Sequence, residues 1–103
     1  MRRDVLLIHG AGTGAYAADR LLAIALQGAL GNEYEVHFPQ MPDEENAPYP
    51  AWTAEIESRL ASLNGPVTLV GHSVGGSVLL KWLCDSHVPR NVAGLFVVAA
   101  PFW

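Results

Sequence analysis

Positive charge is scarce: six Lys and Arg stand against ten Asp and Glu, a formal net charge of −4 with a pI near 5.4. No cluster of cations exists to displace the counterions of a nucleic acid, which excludes that class of partner. Cysteine is nearly absent. The single Cys84 rules out an internal disulfide framework and fits a reducing compartment. Long apolar runs are missing too. Leu21–Leu26 falls far short of the ~20 residues that cross a bilayer. After Arg2-Arg3 the apolar run Val5–Ile8 stops at His9-Gly10, too short for the core of a secretion signal. A cytoplasmic protein without membrane contact is expected. The four histidines are scattered, so no metal site is expected, and no G-x-x-x-x-G-K-[ST] phosphate loop occurs. Nothing in the sequence calls for a cofactor.

What is present is apolar and regularly punctuated. Half of the 103 residues are hydrophobic, enough for one small domain over residues 1–103. Val5–His9 reads as a strand, Ala15–Leu30 as a helix stopped by Gly31-Asn32, and Tyr34–Phe38 as a second strand. Pro39–Pro50 reads as a loop whose cluster Asp43-Glu44-Glu45 is expected to be solvated. A second helix, about Ala51–Leu63, ends at Asn64-Gly65-Pro66. Strand Val67–Val70, a helix over Val74–Cys84 and a last strand Leu95–Ala100 follow. Cys84, on the apolar part of its helix, is expected to be buried. Near-continuous apolar strands alternating with helices predict an α/β fold, a parallel sheet covered on both faces. The last strand is followed only by Pro101-Phe102-Trp103, leaving an unpaired apolar edge over 95–100. Such an edge offers pairing to another strand, self-association included.

The chemistry concentrates at Gly71-His72-Ser73-Val74-Gly75, a G-x-S-x-G sequence between a strand and a helix. That context forces the serine onto a sharp turn with its hydroxyl held outward. Gly71 and Gly75 keep Cβ atoms out of the crowded corner, and Gly76 lets the helix approach the sheet. A serine hydroxyl is a weak nucleophile and needs an adjacent base, usually histidine oriented by a carboxylate. His72 precedes Ser73 and is expected to pack beneath the turn. His9 is expected to fix a loop shape and His37 to be structural. His87 lies beyond the helix, about 18–20 Å from Ser73 at ~1.5 Å per residue. Asp85 and His87 read as a solvated helix end. The acid and the base of the relay are therefore expected beyond Trp103.

Acyl transfer also needs two backbone N–H groups aimed at the developing oxyanion. One is expected from Val74, the residue after the serine. The other is expected from the loop His9-Gly10-Ala11-Gly12, with Ala11 as donor and Gly12 as fallback.

At these two motifs, Val5-Leu-Leu-Ile-His-Gly-Ala-Gly12 and Gly71-His-Ser-Val-Gly-Gly76, the chain resembles the α/β-hydrolases. Phe38-Pro-Gln-Met-Pro-Asp43, followed by Trp52, adds similarity to the small single-domain serine hydrolases related to retinoblastoma-binding protein nine. The resemblance implies a partial α/β-hydrolase fold, strand order 2-1-3-4, with the later strands missing. It also implies an active site at the carboxyl ends of the strands and a small-molecule acyl substrate. Ester hydrolysis through an acyl-enzyme is expected, since a serine nucleophile disfavours the dehalogenase and epoxide-hydrolase chemistries. Two other readings compete. Gly10-Ala-Gly12-Thr-Gly-Ala15 fits a G-x-G-x-x-A dinucleotide fingerprint, although Phe38-Pro39-Gln40 ends the second strand without the acid that would hold a ribose. An inactive hydrolase-like binding module shares every motif except the base. Tyr49 and Trp52 offer an apolar wall to a pocket or, more ordinarily, pack on a helix.

Overall fold

The computed structural model describes residues 3–87 and 89–98. In chain order the elements are β1 (Arg3–Ile8), α1 (Ala15–Leu30), β2 (Tyr34–His37), α2 (Tyr49–Ala61), β3 (Val67–His72), α3 (Val74–Asp85) and β4 (Val92–Val98). The four strands form one parallel sheet in the order β2-β1-β3-β4. This is the order and the partial fold that the resemblance implied.

Alternation along the strands sorts side chains to two faces. Leu6, Ile8, Val67 and Leu69 pack with Trp52, Ile56 and Leu60 of α2 and with Val78, Leu79 and Trp82 of α3. On the other face Val5, Val70, Phe96 and Val98 line a groove with Leu26 and Leu30 of α1. The α2/α3 face is closed. The α1 face is open over β4, where Phe96 is 65% exposed. Among the described residues β4 is an edge, hydrogen-bonded to β3 alone. Of the apolar edge read at 95–100, residues 99 and 100 lie outside the described residues, as does Pro101-Phe102-Trp103.

Element limits depart from the sequence reading where tertiary pairing outweighs local signals. β4 starts at Val92 rather than Leu95, because the ladder to β3 carries through Gly94, with a register irregularity opposite Val67/Thr68. β3 continues through Gly71 and His72, paired to Ile8 on one side and to Val98 on the other. α2 starts at Tyr49 with Pro50 in its first turn, a position where the missing N–H costs nothing. Parallel pairing brings the carboxyl ends of β1 and β3 side by side, with Ile8 in register with Gly71. The loops that leave these two strands meet there.

Candidate active site

β3 is held to its last residue and beyond: the Ser73 N–H donates to Val98 O at 2.9 Å. α3 begins at the next residue, and Ser73 O accepts from Gly76 N at 3.0 Å and Ser77 N at 3.3 Å. A chain that leaves a ladder and enters a helix without a spacer must turn sharply. Ser73 takes φ 57 and ψ −126, a sparsely populated conformation that costs about 1–3 kcal/mol and persists only where neighbours over-determine it. Glycines do this. A Cβ on Gly75 would strike the backbone carbonyls of Ile8 and His9, and one on Gly71 would strike the backbone of Gly76. Ser73 is half-buried at the resulting corner.

The loop after β1 lies against that corner. A Cβ on Gly10 would sit 3.2 Å from Ser73 Cβ and 3.6 Å from its Oγ. A carboxylate and a backbone carbonyl hold this loop. The Gly10 N–H donates to Asp19 Oδ2 at 2.8 Å. The Gly12 N–H donates to Glu44 O at 2.7 Å. Between them, the Ala11 amide has no protein acceptor among the described residues, nor has that of Val74, the first residue of α3. The fallback donor Gly12 is thus already engaged. Val74 N–H belongs to the open amides of a helix N-terminus, where partial positive charge gathers.

His9 is fully buried. Its Nε2 accepts from the Met41 N–H at 2.9 Å, and its Nδ1 lies 2.6 Å from Gly10 O. An acceptor at Nε2 leaves the proton on Nδ1, so the ring is neutral and both nitrogens are used. Edge-on contacts to Tyr16, Phe38 and Trp52 enclose it. His72 is partly exposed, with Nδ1 2.9 Å from Asp19 Oδ2. His37 lies in β2, 2.9 Å from Asp4 Oδ1. His87 is exposed beyond α3. Asp85, beside it, bonds Lys81 at 2.8 Å, and that bond holds its carboxyl below the ordinary value. Among the described residues, no histidine is hydrogen-bonded to Ser73 Oγ.

Two expectations change, and for Tyr49 and Trp52 the more ordinary of two readings holds. Glu44 is not a solvated loop acid. Its carboxylate reaches back to accept from Gly14 N and Tyr16 N, both at 2.9 Å. The Tyr16 N–H and then the Gly14 N–H lower its pKa from the ordinary 4.5. This side chain caps α1, whose own N-cap residue, Gly14, has none. The helix N-terminus that a dinucleotide pyrophosphate would need is therefore filled from within. Cys84 is exposed rather than buried, because the closed face of α3 is taken by Val78, Leu79 and Trp82. Trp52 is wholly buried with its Nε1–H on Pro42 O at 2.7 Å, and Tyr49 lies under Lys81, so both pack on their surroundings.

Asp19 is the residue that sequence reading missed. It had a signal: positions 19, 23, 26 and 30 share one helix face, three of them Ala or Leu and one a carboxylate. Among the described residues, no group of three or more His, Cys, Asp or Glu side chains is placed to hold a metal ion. No described helix is long and apolar enough to cross a membrane.

A model of the alpha/beta hydrolase family matches residues 5–103. The chain is 32% identical over 110 residues to a pyrethroid hydrolase of Sphingobium wenxiniae, covering 94% of this chain and 35% of that protein. A solved pyrethroid hydrolase from Sphingobium faniae JZ-2 superposes with a TM-score of 0.62 at 31% identity, over 97% of this chain and 40% of that one. A pyrethroid hydrolase solved with a serine replaced by alanine gives a TM-score of 0.64 at 29% identity, over 97% and 41%. The chain spans 35% of the length of its curated relative. The narrower likeness to relatives of retinoblastoma-binding protein nine is not shown by these matches.

Proposed function

The chain belongs to the alpha/beta hydrolase family, and from that premise we propose that it carries the nucleophile and oxyanion half of a serine hydrolase acting on carboxylic esters or related acyl bonds. The observation that carries the proposal is the Ser73 corner. Its backbone sits at φ 57 with Gly10 packed against the side chain, the kind of strained backbone that clusters at active sites. Ser73 Oγ attacks the acyl carbon and loses its proton to a histidine. The carbonyl π electrons move onto oxygen, where the Val74 and Ala11 amides receive the charge. Collapse expels the alcohol, protonated by the same histidine, and leaves an acyl-serine that water hydrolyses. His9, Gly10, Gly12, Gly71, His72 and Gly75 support the two loops. The acid and the histidine of the relay come from sequence outside these 103 residues. Esters head the substrate classes because the relatives are pyrethroid hydrolases.

A binding module without turnover is the second reading. It is favoured by the four histidines, none of which bonds Ser73 Oγ among the described residues. A fluorophosphonate probe on the full-length protein separates the two. Stoichiometric labelling that disappears in Ser73→Ala supports the hydrolase. Full-length protein that resists the probe and binds acyl compounds without turnover supports the module.

A further inference from the structure

The buried carboxylate of Asp19 joins the two loops on either side of Ser73. One oxygen, Oδ2, accepts from the Gly10 N–H at 2.8 Å and lies 2.9 Å from His72 Nδ1. The Asp19 side chain is 11% exposed. A carboxylate this deep is costly unless it accepts hydrogen bonds, and its two donors come from residues adjacent to the proposed chemistry. Gly10 precedes Ala11, and His72 precedes Ser73. Asp19 is carried by α1, so its position does not depend on either loop.

We propose that Asp19 is a positioning residue, its Oδ2 clamping the glycine loop to the nucleophile corner so that the Ala11 amide stays opposite the Ser73 hydroxyl. The proposal rests on the hydrolase reading above. The clamp is needed on the loop side, because β1 ends at Ile8, short of Gly10 and Ala11, whereas the β3 ladder runs through His72. Glu44 fixes the far side of the same loop through Gly12, Gly14 and Tyr16. Ala11 is thus suspended between two anchored amides, and the Asp19 anchor is the one adjoining Ser73. Releasing it frees the Ala11 amide to drift, and a drift of ~1 Å costs about 100-fold in rate. The substrate's other contacts are untouched.

The test is a set of Asp19 variants in the full-length protein, read with p-nitrophenyl esters, thermal unfolding and amide hydrogen exchange. Asp19→Ala is expected to lower kcat about 100-fold with KM nearly unchanged, to unfold cooperatively, and to speed exchange at Gly10. Asp19→Asn keeps an acceptor for Gly10 and is expected to recover most of the lost kcat. A kcat for Asp19→Ala close to wild type, or an Asp19→Asn as slow as Asp19→Ala, overturns the proposal. So does a loss confined to KM. Should Asp19→Ala fail to fold, Asp19→Ser, too short to reach both donors, replaces it with the same expectations. Wild type that neither turns over esters nor takes the phosphonate overturns the hydrolase reading instead. The clamp is then decided by exchange alone: faster exchange at Gly10 with shifted Ala11 and Ser73 amides in Asp19→Ala upholds it, and unchanged spectra overturn it.

Discussion

The two segments that meet at Ser73 are held in opposite ways. The β3–α3 corner is fixed by backbone against backbone: a ladder running to Val98, glycines with no space for a Cβ, and a helix that begins at once. No side chain is needed. The loop over residues 9–14 follows a strand just as directly, yet it is fixed largely by side-chain hydrogen bonds, beside one backbone bond from Gly12 N–H to Glu44 O. Asp19 takes Gly10, Glu44 takes Gly14 and Tyr16, and His9 reaches Met41. Steric fixation is local and leaves no alternative. Hydrogen-bond fixation is graded and responds to charge. The proposed nucleophile therefore sits on the unyielding segment and the proposed Ala11 donor on the adjustable one.

This contrast predicts a ranked set of outcomes. The largest effect belongs to the corner. Gly75→Ala drives a methyl into the backbone carbonyls of His9 and of Ile8, the latter held within the sheet. Stability measured by urea unfolding is expected to fall by about 3 kcal/mol, the upper range for overpacking. A Gly75→Ala with unchanged unfolding would break the claim that backbone sterics set the corner.

An intermediate effect is expected where the segments touch. In Gly10→Ala the new methyl lies 3.2 Å from Ser73 Cβ, close enough to displace the loop by a few tenths of an ångström. Cooperative unfolding should survive, while the rate of phosphonate labelling at Ser73 falls about tenfold, a fraction of the ~100-fold cost of a full ångström. Equal losses of stability and labelling would mean that the loop and the corner form one rigid body.

The smallest effect is expected from Glu44, and it depends on pH. Amide bonds from Tyr16 and Gly14 lower the folded-state pKa of this carboxyl below 4.5. The unfolded chain therefore binds its proton first as pH falls. The contribution of Glu44 is complete above the ordinary carboxyl range and is lost as pH drops through the lowered folded value. Protection of the Gly14 and Tyr16 amides, taken relative to the intrinsic exchange rate at each pH, should fall several-fold across that acid window in wild type and stay level in Glu44→Gln. Parallel profiles for the two proteins would remove the charge from the loop's support.

The same contrast explains how much could be read in advance. The corner was legible because its parts follow one another without a gap in the chain: an apolar strand, G-x-S-x-G, and an apolar helix. The alternation of elements and the sheet order followed from the apolar pattern and from the resemblance those motifs carry. The loop was legible only as a glycine-rich turn. Its restraints span nine residues for Asp19 to Gly10, 28 and 30 for Glu44 to Tyr16 and Gly14, and 32 for Met41 to His9. None of those separations corresponds to a local motif. Asp43-Glu44-Glu45 read as a solvated cluster because an acid displays no sign of the amide it will meet. Cys84 read as buried because the helix around it is apolar on more than one side, and composition alone does not say which side faces the sheet.

The amino-acid order alone determined that strands and helices alternate here, that the strands are parallel, and that Ser73 stands between one of each. It could do so because hydrophobic period, glycine and proline act over a few neighbouring residues. Only the tertiary structure decided which amides near Ser73 are engaged and which are open. That outcome depends on where the carboxylates of Asp19 and Glu44 come to rest, and a side chain's partner across 28 residues is set by packing of whole elements rather than by its neighbours in the chain.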